Sequence, residues 1–264
     1  MTKTLRSARR LAGMLLFTVF ASAGSAFASS GGAALQQANV SLDDVASMQR
    51  GARLFFNYCS GCHSLQYLRY SRIAEDLQLD PKDVEKNFMF GGGKIGDHAV
   101  SRLTAADGAT WFGKAPPDLS LESRSKGADW IYTYLKSFYV DPTRPVGWNN
   151  TLFENASMPN ALWELQGIQA LAPKHEGAAA AGDTHGGGGE AGGHAASPFV
   201  LRSPGSQTPE QFDQSVRDIT AFLQYAGEPA ALKRESMGVW VLLYLAFFTF
   251  LAYLLKHEFW KDVH

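Results

Sequence analysis

Cysteine is scarce in this chain: only 2 of its 264 residues are cysteines. A disulfide-stapled scaffold and a four-cysteine zinc site are therefore both excluded. The chain also lacks a long basic run, and its formal net charge is −1. Nucleic-acid-binding proteins normally carry a basic patch or stripe, so we expect no nucleic-acid partner. With 45% hydrophobic and 19% charged residues, the composition allows a packed core and argues against wholesale disorder.

The first 28 residues have the pattern of a secretory signal peptide. Four basic residues and no acidic residue precede a short apolar run at 11–20. Small residues follow this run up to Ala28. The apolar run is too short to span a bilayer, which needs about 20 residues. We predict cleavage after Ala28, with Ala23 as the competing site. Loss of the four basic residues lowers the net charge from −1 to −5, which favours encounter with a basic partner.

A second apolar segment near the C-terminus predicts a membrane anchor. The 19 residues from Met237 to Leu255 contain no formal charge, and a helix of that length spans roughly 28 Å, close to the thickness of the hydrocarbon layer. Aromatic residues lie near both ends, as in interfacial belts. We therefore predict one exported domain at 29–232, followed at 233–264 by a lipid-embedded helix and a short tail.

Both cysteines lie in the motif Cys59-Ser60-Gly61-Cys62-His63, which is the C-x-x-C-H signature of covalent haem attachment. Two thiols at this spacing can form thioethers with the two vinyl groups of one haem, and His63 can then ligate the iron. A thioredoxin-like dithiol is the alternative, but that motif belongs at a strand-to-helix junction. A disulfide between such close cysteines is strained, which disfavours a structural bridge.

Helical periodicity dominates the exported domain. Ser41 is a predicted N-cap for a helix that carries the motif at its end, and Gly51 beside its apolar stripe predicts close approach of a second helix. That second helix is predicted at 209–226, with Thr208 and Gln211 as a capping box, and a third at about 130–139. No convincing alternating strand is found, so the predicted fold class is mostly α.

A sixth ligand of the iron is sought among methionine and histidine side chains. Met48 lies on the helical stripe and is expected to pack in the core, whereas Met89 lies between two phenylalanines and is expected to pack against its neighbours. His98 follows an aspartate in a glycine-rich loop. Met158 lies in a loop rich in proline and asparagine, where a thioether can be presented with little loss of entropy. Met158 is the favoured candidate.

The segment 115–120 adds a second candidate surface for the haem. Pro116 and Pro117 form a rigid edge with few hydrogen-bond donors, suited to lie against a haem face or rim. Arg124 can pair with a haem propionate, although a solvated arginine is an equally simple interpretation.

One segment is expected to contribute nothing to the core. Residues 176–197 form an insert rich in glycine and alanine, predicted to be a flexible surface loop. Three histidines in and beside it, His175, His185 and His194, have irregular spacing and no cysteine or suitably placed acidic companions, which disfavours a metal site.

Several motifs together resemble those of the cytochrome c1 family. They occur in the order Arg50-Gly51, CSGCHS at 59–64, APPDLS at 115–120, NNTLFENASMPNALWELQG at 149–167 and FLQYAGEP at 222–229, before a single C-terminal span. This order is much more specific than the haem motif alone. The resemblance extends from about Met48 to the C-terminus and is broken only by the insert.

The resemblance implies a cytochrome c-like haem domain with loop insertions and one covalently attached haem c. It implies Cys59 and Cys62 as attachment points, His63 and Met158 as axial ligands, and Arg124 as a propionate partner. It also implies cytochrome b and a Rieske iron–sulfur protein as partners, with a cytochrome c as electron acceptor.

We therefore expect an electron-transfer subunit of a respiratory quinol–cytochrome c oxidoreductase, without a catalytic site of its own. The expected location is a bacterial inner membrane, with the haem domain in the periplasm and the C-terminus in the cytoplasm. Two alternatives stay open: an anchored cytochrome c of another pathway, and an anchored thiol oxidoreductase that uses Cys59 and Cys62.

Overall fold

The computed structural model of the chain describes residues 35–172 and 198–261. The predicted signal peptide at 1–28, the predicted insert at 176–197 and the three histidines in and beside it lie outside the described residues. The domain boundaries at Ala28 and Leu232 therefore remain predictions.

Helices dominate the described residues, which confirms the mostly α fold class. The described helices are α1 (Val45–Tyr58), α2 (Tyr70–Asp76), α3 (Pro81–Phe88), α4 (Ala105–Phe112), α5 (Glu122–Lys126), α6 (Ala128–Lys136), α7 (Trp163–Gln166), α8 (Pro209–Gly227) and α9 (Ala231–Phe259).

The expectation that the chain has no strands was wrong, because three short antiparallel pairs are present. The strands are β1 (Leu65–Arg69) with β2 (His98–Ala99), β3 (Phe138–Val140) with β4 (Trp148–Asn150), and β5 (Gly167–Leu171) with β6 (Phe199–Pro204). Each strand has only two to six residues. Such short runs give little room for an alternating pattern, and several of them are buried or exposed on both faces.

The core is built where α1 packs against α8, as the glycine in the stripe of α1 predicted. A Cβ atom placed on Gly51 would overlap the backbone carbonyl of Asp218 and would lie 2.9 Å from the Cβ of Phe222. The aromatic rings of Phe55 and Phe222 meet beside this crossing, with centroids 5.5 Å apart. Only glycine lets the two backbones come this close.

A buried carboxylate fixes the register of the same two helices. Asp218 is 2% exposed and accepts hydrogen bonds from Arg50 at 2.7 and 2.9 Å, from Ser47 Oγ at 2.6 Å and from Gln214 at 2.8 Å. Because removal of any partner would leave a buried charge underpaired, the network ties α1 to a single position on α8.

The ends of the helices agree only in part with the sequence predictions. The capping box of α8 is confirmed, with Gln211 N donating to Thr208 Oγ1 at 3.3 Å and Thr208 N donating to Gln211 Oε1 at 2.9 Å. Ser41 was wrong as the N-cap of α1: the carboxylate of Asp44 caps that helix. Ser41 Oγ instead accepts from Asp43 N in the preceding turn, at 3.2 Å.

The third predicted helix ends three residues early, at Lys136, because the chain there turns into β3. Phe138 and Tyr139 pair with Asn150 and Asn149 of β4. The backbone hydrogen bonds of this segment are thus satisfied by a strand rather than by a further helical turn.

Helix α9 is the one helix of the described chain that is long and apolar enough to cross a membrane. It has 29 residues, a mean hydropathy of 2.1 in its most apolar window, and no buried side chains in that window. It contains the whole predicted span from Met237 to Leu255. Long, uniformly apolar and exposed side chains are what a lipid environment requires, and this helix fits a membrane-anchored protein.

Substitution of Gly51 by alanine is expected to destabilise the haem-free and haem-bound protein alike, by about 1–3 kcal/mol. The added methyl meets the backbone of Asp218, which cannot rotate away, and this overlap outweighs the gain of about 1 kcal/mol in helix propensity. Thermal unfolding in detergent checks the result. Gly96→Ala is the control, because no heavy atom lies within 4 Å of its Cβ position. A Gly51→Ala variant that melts higher than the parent would contradict the close packing.

Candidate haem site

Three distant segments of the chain line one apolar crevice that is partly open to solvent. The crevice brings together most of the predicted site residues: Cys59, Cys62, His63, Pro116, Pro117 and Met158. Its other lining residues are Tyr58, Phe112, Lys114, Ala115, Ser157, Pro159 and Ala161.

The haem motif forms a tight turn at the C-terminal end of α1. Cys59 N donates to the carbonyl of Phe55 at 2.8 Å, and His63 N donates to the carbonyl of Cys59 at 2.9 Å. This turn brings both sulfurs and the imidazole to the same crevice. The position of the motif after a helix, rather than after a strand, is unlike that of a thioredoxin-type dithiol.

No disulfide joins the two cysteines, and Cys59 is buried whereas Cys62 is exposed. Burial, with a smaller contribution from Cys62, raises the pKa of Cys59 to about 12. Reactive dithiols need a lowered thiol pKa, because the thiolate is the nucleophile. The raised pKa of Cys59 therefore disfavours thiol–disulfide exchange at this residue.

The orientation of the His63 ring is fixed by a backbone carbonyl. His63 Nδ1 lies 2.8 Å from the carbonyl oxygen of Pro117. Because a carbonyl can only accept, Nδ1 carries the proton, and Nε2 keeps the lone pair that a metal requires. Burial lowers the pKa of His63, against the opposing effect of the Pro117 hydrogen bond, so the ring is neutral at pH 7.

The Pro116–Pro117 segment is held beside the motif by hydrogen bonds on its C-terminal side. The carboxylate of Asp118 accepts from Gln66 N at 2.8 Å and from Ser120 N at 2.9 Å. Leu119 N donates to the carbonyl of Ser64 at 2.9 Å. These hydrogen bonds hold the segment after the prolines next to Ser64, which follows the motif directly. They thereby place the carbonyl of Pro117 against His63.

Asparagine side chains shape the loop that presents Met158. Asn150 Oδ1 accepts from Leu152 N at 2.9 Å and from Phe153 N at 3.1 Å. Asn149 Oδ1 accepts from Asn155 N at 2.9 Å, and Asn155 has a positive φ of 63°. The loop is therefore an ordered, internally bonded structure, as its proline and asparagine content predicts.

Met158 itself is half-buried, lines the crevice, and packs against the hydrophobic core. The hydroxyl of Tyr134 donates to its sulfur at 3.7 Å. Burial raises the pKa of Tyr134 to about 12, so this hydroxyl keeps its proton at neutral pH.

The other ligand candidates lie away from this crevice. Met48 is fully buried in the core, as predicted, and Met89 is 7% exposed. His98 lies in β2 with an exposed side chain and is not among the described residues that line the crevice.

Arg124 is the one predicted site residue that the described crevice does not include. It lies in α5 with an exposed side chain, whose Cγ is close to Gly227 at the end of α8. Its pairing with a propionate remains a prediction.

Sequence reasoning missed several residues of the crevice. Tyr58 precedes the first cysteine directly, and this adjacency was an available signal. Phe112 and Lys114 reach the crevice because α4 packs tightly on the prolines: a Cβ on Gly108 would lie 2.6 Å from Pro116 Cδ. No local pattern reports that contact.

The residues present fit a haem c. The lining is almost wholly apolar, two thiols stand at the spacing of covalent attachment, and an imidazole with a free Nε2 and a thioether face the same space. Imidazole and thioether are the axial ligand pair of many c-type cytochromes.

Comparison with known proteins identifies the family of the chain. The model of the cytochrome c1 family matches residues 36–263. The chain is 50% identical over 240 residues to cytochrome c1 of Allochromatium vinosum, covering 90% of this chain and 93% of that protein. It is 36% identical to a protein named ammonia monooxygenase gamma subunit from Nitrosomonas europaea (87% and 89% covered), and 29% identical to cytochrome c1 of Rhodospirillum rubrum (100% and 99%). The chain belongs to the cytochrome c1 family.

Proposed function

We propose that this chain carries electrons from a Rieske iron–sulfur protein to a cytochrome c, as the membrane-anchored c-type cytochrome of a quinol–cytochrome c oxidoreductase. Family membership supports the coarser statement, a haem-containing subunit of the cytochrome bc1 complex. One observation supports the proposal of a haem-based electron carrier: the C-x-x-C-H turn and the Met158 loop meet across a single apolar crevice.

One haem is proposed to be held at four points. Cys59 and Cys62 would each add their S–H across a vinyl group, while His63 Nε2 and the Met158 sulfur would fill the two axial positions. Bound in this way, the iron supplies a one-electron couple without an open coordination site. Arg124 is proposed to pair with a propionate, a role that comes from the family resemblance alone.

The chain's own residues prepare this site before any electron arrives. The Pro117 carbonyl orients the imidazole of His63, and the asparagine-braced loop holds Met158 in place. The prolines and Phe112 give the crevice apolar walls. An apolar site whose ligand side chains are held in place changes little between the two oxidation states, which keeps the reorganisation energy of electron transfer small.

The proposed orientation places the haem domain in the periplasm of a bacterial inner membrane. If the N-terminus is exported, a single span through α9 leaves the tail after Lys256 in the cytoplasm. The mature charge of −5 predicted from the sequence would then favour a basic electron acceptor. Cytochrome b and the Rieske protein are the proposed membrane partners.

The alternative function is that of an anchored cytochrome c in another pathway. It is considered because one relative is named as an ammonia monooxygenase subunit. Purification of the tagged, full-length chain in mild detergent separates the two. We expect co-purification of cytochrome b, a Rieske iron–sulfur signal, and quinol-dependent reduction of cytochrome c. A haem-loaded chain that repeatedly purifies without cytochrome b would favour the alternative.

The matched control is the same chain truncated after Leu232, before most of α9. It should keep the haem spectrum and lose the membrane partners, because the crevice residues all precede the anchor. Loss of the spectrum on truncation would show that α9 belongs to the folded haem domain.

A further inference from the structure

The Tyr134 hydroxyl reaches the haem crevice through the sulfur of Met158. It donates to Met158 Sδ at 3.7 Å, and a thioether sulfur is a weak acceptor. Met158 lines the crevice, whereas Tyr134 is not among its described lining residues. The hydrogen bond to Met158 is therefore the route by which this hydroxyl can influence a group in the crevice.

The phenol ring is held rigidly enough to keep this contact. It stacks on Trp130 with ring centroids 4.9 Å apart and an angle of 10° between the planes. Phe138 meets it edge-on, with centroids 5.0 Å apart and an angle of 70°. With a neighbouring ring at two of its sides, the hydroxyl has few alternative positions.

The backbone of Tyr134 is tied to the Met158 loop as well. Asn150 Nδ2 donates to the carbonyl of Tyr134 at 2.8 Å, while Asn150 Oδ1 accepts from Leu152 N at the start of the loop. One asparagine thus sets the distance between α6 and the loop. These two hydrogen bonds of Asn150 help to hold the Tyr134 hydroxyl next to the Met158 sulfur.

We propose that Tyr134 is a positioning residue for Met158, and that its hydrogen bond to the sulfur raises the reduction potential of the haem iron. The inference rests on the proposed ligation of the iron by Met158. A hydrogen bond to the sulfur withdraws electron density from its lone pairs, so the thioether becomes a poorer donor. Ferric iron depends more on electron donation from its ligands than ferrous iron does, so a poorer donor destabilises the ferric state more and raises the reduction potential. Hydrogen bonds around axial ligands are an established means of setting haem potentials.

Tyr134→Phe tests this directly, because it removes the hydroxyl and keeps the ring. At a fixed ambient potential the ratio of reduced to oxidised haem is expected to fall about three- to tenfold, in line with the loss of one neutral hydrogen bond. For a one-electron couple this is a shift of roughly 30–60 mV to lower potential. The low-spin spectrum should persist, and the charge-transfer band of a thioether-ligated ferric haem should shift.

Tyr132→Phe is the matched control. Tyr132 lies on the same helix and is buried, but its hydroxyl donates to Asp213 rather than to the methionine. Its removal should lower stability and leave the potential unchanged. If Tyr132→Phe and Tyr134→Phe shift the potential equally, the effect is a general one of α6 and the proposal is overturned.

A second variant covers the case in which Tyr134→Phe does not fold. Replacement of Tyr134 by a ring-fluorinated tyrosine keeps nearly the same shape and makes the hydroxyl a stronger donor, so the potential should rise. No shift, or a fall, contradicts the proposal.

Met158→Leu separates the inference from the function on which it rests. If that variant leaves both the spectrum and the potential unchanged, Met158 is not a ligand and the proposed site fails. If Met158→Leu changes both and the Tyr134 variants change neither, ligation stands and only the role of Tyr134 is lost.

Discussion

Replacement of Met158 by leucine is expected to lower the reduction potential of the haem sharply, while the haem stays attached to the chain. The thioether favours ferrous iron, and leucine fills similar space without offering a ligand atom. A fall on the order of 100 mV or more is expected, since axial ligands set haem potentials over about 0.8 V. Spectropotentiometric titration measures it, and the ferrous variant should bind carbon monoxide at the vacated position.

Met48→Leu is the control for this substitution. Met48 is fully buried in the core and lies outside the crevice. The Met48→Leu variant should therefore have the same reduction potential as the parent protein and the same response to carbon monoxide. An unchanged potential in Met158→Leu would reject Met158 as a ligand. His98 and Met89 would then be the next candidates to substitute.

Removal of the His63 imidazole is expected to have the largest effect on the haem spectrum. In His63→Ala the iron loses the ligand whose ring is oriented by the Pro117 carbonyl. Near-complete loss of the low-spin spectrum should follow, even where thioether bonds to Cys59 and Cys62 still form. Absorption spectra of the reduced protein, scaled to protein concentration, check this outcome.

Two further variants show whether this loss is specific. His63→Gly with added imidazole should regain the low-spin spectrum, because the free ring can enter the space left by the side chain. His98→Ala should resemble the parent, since His98 is exposed and lies outside the crevice. A low-spin spectrum that persists in His63→Ala would mean that another residue ligates the iron.

The sequence predicts the parts of the site that depend on local pattern. The C-x-x-C-H spacing specifies the turn at the end of α1, and the glycine in the stripe of α1 anticipates its close crossing with α8. The composition of the 149–160 loop points to Met158. Each of these signals lies within one turn or one helical face, where residue type and spacing determine geometry.

Contacts between distant segments could not be predicted in this way. Pro117 meets His63 across 54 positions, and Tyr134 meets Met158 across 24. In both cases the pairing depends on how helices and loops pack. The contact with His63 also uses the backbone carbonyl of Pro117, a group that every residue has, so residue type gives no signal for it. The short strands were missed for a related reason: β3 and β4 are specified by their partners rather than by an alternating pattern of their own.

Haem retention under denaturing extraction tests the central claim most directly. The full-length chain, produced in a host able to attach haem c, is extracted with acidified acetone, and the protein pellet is examined by its reduced spectrum and by haem staining on a denaturing gel. Covalent attachment at Cys59 and Cys62 predicts one haem per chain that stays with the polypeptide and shows a reduced α-band. A colourless polypeptide, with all pigment in the solvent or none at all, would contradict the account.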